Sequence, residues 1–139
     1  MKDWLYQVRF RVSEELSEDL RSKNKLNISK QIQKIAKKYA ARPVCTFDAF
    51  SDYCKQAELN GTENYPLYDW TKSTIENPEK RSKHLKSFAL YVGDNQVYEK
   101  KIAKEMYENL KFLLEEKKIY QLNLIDTNPK NNPQPPSKV

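Results

Sequence analysis

Residues 86–127 constrain this chain more than any other stretch. A short apolar run at 87–92 leads through Gly93-Asp94-Asn95 into helical periodicity over about 96–118, and a second apolar run follows at 120–125. Ile102, Ala103, Met106, Leu110, Leu113 and Leu114 recur at the spacing of one helix face, while Lys100, Lys101, Lys104, Glu108, Lys111, Glu115 and Glu116 fill the other. Asp94 or Asn95 suits the helix start, and Lys117 and Lys118 suit its negative end. The pattern is a strand–helix–strand unit, whose two strands should run parallel within one sheet.

The N-terminal residues supply a third strand. Trp4, Tyr6, Val8, Phe10 and Val12 alternate with Leu5, Gln7, Arg9 and Arg11, the period-two signature of a half-buried strand with a polar outer face. Ser13 can cap a short helical turn opened by Glu14 and Glu15, which Lys23-Asn24-Lys25 ends. A second helix is expected over about 27–39, where Ile28, Ile32, Ile35, Ala36 and Tyr39 form the apolar stripe. Pro43 stops it and pushes Arg42 into extended backbone. Residues 43–59 fit two readings. Cys45, Phe47, Ala49, Ser51 and Tyr53 share a face in period two, whereas Phe47, Phe50, Tyr53, Cys54 and Ala57 share one in helical period behind a Thr46 cap. A short strand at 44–47 and then a helix to about Leu59 reconciles them; a strand continuing to Tyr53 fits as well. Residues 61–86 read as a long aperiodic loop, with a turn at Asn77-Pro78. The tail at 128–139 holds four prolines in twelve residues and reads as disordered.

The element order, strand–helix–strand then strand–helix–strand, is met most simply by a ferredoxin-like βαββαβ arrangement. This α+β sandwich has one four-stranded sheet with helices on one face, within a single domain at 1–127. Its open face would show Gln7, Arg9, Arg11, Tyr91, Gln121 and Asn123. Only two glycines argue against an all-β fold, and the sixteen Tyr, Phe and Trp residues argue for a packed core. One local resemblance exists. Phe88-Ala89-Leu90-Tyr91-Val92-Gly93, then Asn109-Leu110-Lys111, then Leu122-Asn123-Leu124-Ile125-Asp126 and Asn132-Pro133-Gln134 resemble the first half of the circadian clock KaiB family. That resemblance covers about a third of the chain and implies a thioredoxin-like fold that works by binding partner proteins; the remainder of that family's pattern, with its proline loop, has no counterpart here.

Charge is the clearest functional signal. The formal net charge is +6, yet no Asp or Glu occurs between Leu20 and Phe47, a span holding eight Lys and Arg residues. The rest of the chain therefore carries a small negative balance. Lys30, Lys34, Lys37 and Lys38 lie on the wet side of the second helix, and Arg9, Arg11 and Tyr91 could add a stacking face, so RNA or DNA binding by the basic segment 20–47 is one expected function. A helix-turn-helix version is opposed by Asp48, Asp52 and Glu58 on the would-be recognition helix. The other main expectation is a small non-enzymatic interaction module that forms a homo-oligomer, such as a dimer, or binds a partner protein through its open sheet face. A third is a small-molecule enzyme or sensor with a pocket under the 61–86 loop, lined by Tyr65, Tyr68, Trp70 and His84.

Catalytic and metal-binding motifs do not emerge. His84 is the single histidine and sits among Arg81, Lys83 and Lys86, as a surface imidazole rather than a general base. Cys45 and Cys54 read as buried small apolar residues in a reducing compartment, with no histidine nearby in sequence to activate them. No metal or cofactor is expected. Met1-Lys2-Asp3-Trp4 opens no apolar leader and no run approaches the ~18 residues of a membrane span, so a cytoplasmic protein without a membrane partner is expected.

Overall fold

The computed structural model describes residues 5–23 and 25–127. Trp4 and the proline-rich tail at 128–139, both given roles by the sequence reading, lie outside them. The strands are β1 (Tyr6–Arg11), β2 (Ala41–Cys45), β3 (Ser87–Val92) and β4 (Gln121–Asp126), in one sheet of order β2-β3-β1-β4. Every neighbouring pair is antiparallel. β3 and β4 therefore run the same way, as expected of a strand–helix–strand unit, but β1 lies between them. The thioredoxin-like fold implied by the clock-protein resemblance would seat those two strands side by side, which this sheet does not do.

The inner face of the sheet is apolar because the period-two pattern is strict. Val8 and Phe10 of β1, Phe88 and Leu90 of β3, Cys45 of β2 and Leu122 of β4 all enter one core. Phe10 stacks on Phe88 with ring centres 5.6 Å apart and faces Leu122 on its other side. Helices α1 (Glu14–Glu18), α2 (Asn27–Lys37) and α6 (Lys100–Glu115) bring Leu16, Ile32, Ala36, Ala103, Met106, Leu110 and Leu113 into that core. Ser13 caps α1, its Oγ accepting from the Leu16 amide at 3.1 Å. The carboxylate of Asp19 accepts from the amides of Lys25 and Leu26 at 3.1 and 2.9 Å and so fixes the approach to α2.

The 43–59 ambiguity resolves in favour of helix. β2 ends at Cys45 and α3 (Thr46–Asn60) starts at once, with Cys54 and Ala57 buried on its stripe. Thr46 is the first helical residue rather than the cap. The 61–86 segment is not a loop: it forms α4 (Tyr68–Glu76) and α5 (Pro78–Leu85), which pack on α3 as a three-helix insertion between β2 and β3. Asn77 produces the break, its side chain accepting from the amides of Glu79 and Lys80 with Pro78 at the first helical position. Aromatic edges hold the insertion together: Phe50 meets Trp70 and His84, and Tyr53 meets Tyr65.

The last helix starts later than its periodicity suggests, at Lys100, and neither Asp94 nor Asn95 caps it. Tyr98 explains the delay. Its backbone exchanges two hydrogen bonds with Tyr6, which bridges residue 98 to β1 and keeps it out of the helix. The paired register of β1 and β3 runs from Arg11 only as far as Arg9. Beyond that point the Tyr98 hydroxyl takes over the ladder: it accepts from the Val8 amide at 3.0 Å and donates to the Leu90 carbonyl at 2.8 Å. Burial pushes the Tyr98 pKa up to about 12.

Tyr98→Phe should leave the Val8 amide and the Leu90 carbonyl without a partner and lower the unfolding free energy by about 1–3 kcal/mol in urea titrations. The phenol is held protonated in the folded chain, so its contribution is present below pH ~10 and lost as pH rises toward about 12. The parent should therefore lose stability across that window, and the phenylalanine variant should lose less.

Candidate functional site: the outward sheet face

Strand alternation places Gln7, Arg9 and Arg11 of β1, Arg42 and Val44 of β2, Ser87, Ala89 and Tyr91 of β3, and Gln121, Asn123 and Ile125 of β4 on the face away from the core. Register brings their chemistry together. Arg9 lies between Ala89 and Asn123, Arg11 between Ser87 and Gln121, and Arg42 opposite Tyr91. None of these outward strand residues is an Asp or Glu. Asp94, in the turn after β3, lies 3.9 Å from the Arg42 guanidinium and is fully exposed.

Two of the arginines are positioned rather than loose. Gln7 is buried, its amide donating to the Gln96 carbonyl at 2.9 Å, and its Oε1 accepts from Arg9 Nε at 2.6 Å. The bend before Tyr98 thus fixes Gln7 through the Gln96 carbonyl, and Gln7 orients Arg9. Arg42 stacks over the Tyr91 ring at 5.6 Å. Desolvation lowers the Arg9 pKa, and burial raises that of Tyr91 although Arg42 and Arg9 pull it down. The face thus offers guanidiniums, one aromatic ring and the amides of Asn123 and Gln121.

His84 borders this face. It is half-buried against Phe50 rather than on the open surface, and burial first, then Lys83, Arg11, Arg9 and Lys80, push its pKa below the usual imidazole value. The imidazole belongs electrostatically to the same cationic patch.

The structure does not join the sheet arginines to the lysine helix. α2 packs Ile32 and Ala36 into the core on the inner side of the sheet, so Lys30, Lys34, Lys37 and Lys38 lie across the molecule from Arg9, Arg11 and Tyr91. The aromatics expected to line a pocket are spent on the insertion. Tyr65 meets Tyr53, Trp70 meets Phe50, and the Tyr68 hydroxyl donates to Glu58 at 2.6 Å. A groove of about 680 Å³ runs instead along Glu15, Glu18, Asp19, Arg21 and Asp48, where Arg21 and Asp48 already form a two-pronged pair and Asp19 holds backbone amides. Cys45 and Cys54 are free and buried, and burial raises both thiol pKa values. Among the described residues no three His, Cys, Asp or Glu side chains gather as metal ligands, and no helix is long and apolar enough to cross a membrane.

No protein-family model, curated protein or solved structure matches this chain. The site therefore rests on its own geometry. Sequence reasoning found Arg9, Arg11 and Tyr91 but assigned Arg42 only to the general basic run. The signal for Arg42 was the alternation of Ala41–Cys45, which sets it beside Tyr91 once β2 pairs with β3.

A histidine whose folded pKa lies below its unfolded one takes up a proton first in the unfolded chain, so stability falls as pH drops below about 6.5. His84→Gln should flatten that part of a thermal-melting profile against pH, on top of a pH-independent loss from the missing ring contact with Phe50.

Proposed function

We propose that this chain is a ferredoxin-like α+β module that binds single-stranded nucleic acid across the outward face of its sheet. The observation that carries the reading is a face with Arg9, Arg11, Arg42 and Tyr91 and no carboxylate among its strand residues. Phosphates supply the negative charge such a face lacks, a base can stack on the Tyr91 ring, and the amides of Asn123 and Gln121 can meet base edges. The split connectivity supports the ferredoxin-like description: β1 lies between β3 and β4, and β3 between β1 and β2. The α3–α5 insertion is an addition to that plan.

Self-association through the same face is the competing reading. It fits less well, because a two-fold interface sets the same patch against itself and would bring Arg9, Arg11 and Arg42 toward their own copies with no strand carboxylate to absorb them. A small-molecule pocket beneath residues 61–86 is less favoured still, since its rings already pack on α3.

Fluorescence anisotropy with a short labelled oligouridylate tests the proposal. Binding should weaken steeply between about 50 and 200 mM salt. Tyr91→Ala should cost about 1–3 kcal/mol of binding free energy, and Arg9→Gln or Arg42→Gln should each lower the slope of log K against log salt by about 0.7. Absence of binding at the low-salt end, or binding indifferent to all three changes, would remove the reading. Light scattering that found a dimer dispersed by Arg9→Glu would favour self-association instead.

A further inference from the structure

The second concentration of positive charge lies on the other side of the sheet. Lys30, Lys34 and Lys37 are exposed on α2 and, with Gln33, ring a shallow depression of about 580 Å³. Among the described residues none of the three lysines has a carboxylate within ion-pairing distance. Lys38, beside them, lies over the Tyr39 ring at 5.8 Å.

This is not how an ordinary solvated helix distributes charge. α6, which shares the same layer, mixes both signs on its wet side: Lys101, Lys104, Glu105, Glu108, Lys111 and Glu115. α2 has no acid at all, and it sets Lys30 against Lys34, and Lys34 against Lys37 and Lys38, at the three- and four-residue spacings where like charges destabilise a helix. The helix dipole accounts for Lys37 and Lys38 near the C-terminal end. It does not account for Lys30, which lies in the first turn, where a cation is unfavourable and no residue of the helix is acidic; the nearby Asp19 carboxylate is engaged by the Lys25 and Leu26 amides. The cost recurs along one face, and an external polyanion would relieve it.

We infer that the Lys30–Lys34–Lys37 face of α2 is a second and separate site for a nucleic-acid backbone, so that one chain can hold two strands, one on each side of its sheet. The depression is lined by ammonium groups and one amide, with no aromatic ring, so it reads charge and not bases. Lys30 and Lys37 are separated by about 10 Å of helix rise, roughly three nucleotides of a stacked strand at about 3.4 Å each. Bridging of two strands rests on the sheet-face reading; the lysine site itself does not.

The test uses the full chain and oligouridylate. At low salt the parent should bind two strands, and it should carry a labelled strand onto beads bearing an unlabelled one. Lys30→Gln/Lys34→Gln/Lys37→Gln should bind one strand and lose the bead capture, while the triple arginine variant should keep both. In a Tyr91→Ala/Arg9→Gln background, which isolates the lysine site, the three glutamines should lower the salt slope by about 2. The glutamine variant should melt no lower than the parent, because the three positions are exposed and like-charge repulsion is relieved. A glutamine variant that still binds two strands with the parental salt dependence would overturn the inference. If instead the sheet-face substitutions change nothing and the lysine substitutions remove all binding, the lysine site stands, and the sheet-face reading and the bridging fall.

Discussion

The hydroxyl of Tyr98 occupies a place in the sheet that backbone would normally fill. β1 is paired with β4 over six residues but with β3 over only three, and past Arg9 the two central strands communicate through that one oxygen. The oxygen uses its proton and a lone pair on opposite strands, so neither the Val8 amide nor the Leu90 carbonyl is orphaned inside the core. The backbone of the same residue is bridged to Tyr6, which delays α6, and two residues earlier the Gln96 carbonyl meets Gln7. Gln7 in turn holds Arg9. A single core phenol is thus connected, in three steps, to the orientation of the arginine at the centre of the outward face.

Magnitudes separate what stabilises this molecule from what its surface is available to do. Ile32, Leu90, Met106, Leu110 and Leu113 are fully buried, each contributing about 1.5–3 kcal/mol. The four ion pairs seen among the described residues are all substantially exposed, and pairs of that kind are worth roughly 0–1 kcal/mol. Several cations sit over rings instead: Arg21 and Arg81 over Phe47, Arg42 over Tyr91, Lys100 over Tyr6. Such contacts are also modest, about 0.5–1 kcal/mol at exposed sites. The fold depends little on where its positive charge lies, which leaves that charge free to be arranged for a ligand.

Much of this architecture was legible in the residues. The alternation around Val8 and Phe10, the stripes of α2 and α6, and β3 at Ser87–Val92 follow directly from apolar spacing. The α4 and α5 helices of the insertion were not, because they bury little. Thr71 and Thr74 are the buried residues of α4, and α5 has none, so neither helix carries an apolar stripe to recognise. Two expected caps, at Asn95 and Thr46, were displaced by events at a distance: the bridge between Tyr98 and Tyr6, and the direct passage of β2 into α3. The candidate site was half legible. Alternation assigned Arg9, Arg11 and Tyr91 to one face, but whether that face adjoined the lysine helix depended on which side of the sheet α2 would settle.

The α3–α5 insertion leaves β2 after Cys45 and returns at Ser87, and Cys45 is paired with Phe88 across the ladder. Residues 46–86 therefore depart from and rejoin adjacent points of one hairpin. Closing a flexible loop of that length costs about 2 kcal/mol more than closing a four-residue turn, since each doubling adds about 0.6 kcal/mol. Collapse of the three helices onto Phe50 before the strands meet would shorten the effective loop and remove much of that entropic penalty. Replacing the insertion with a short turn would spare that closure cost, but it would also remove the His84 and Leu85 carbonyls that the Cys45 thiol and the Ser17 hydroxyl meet.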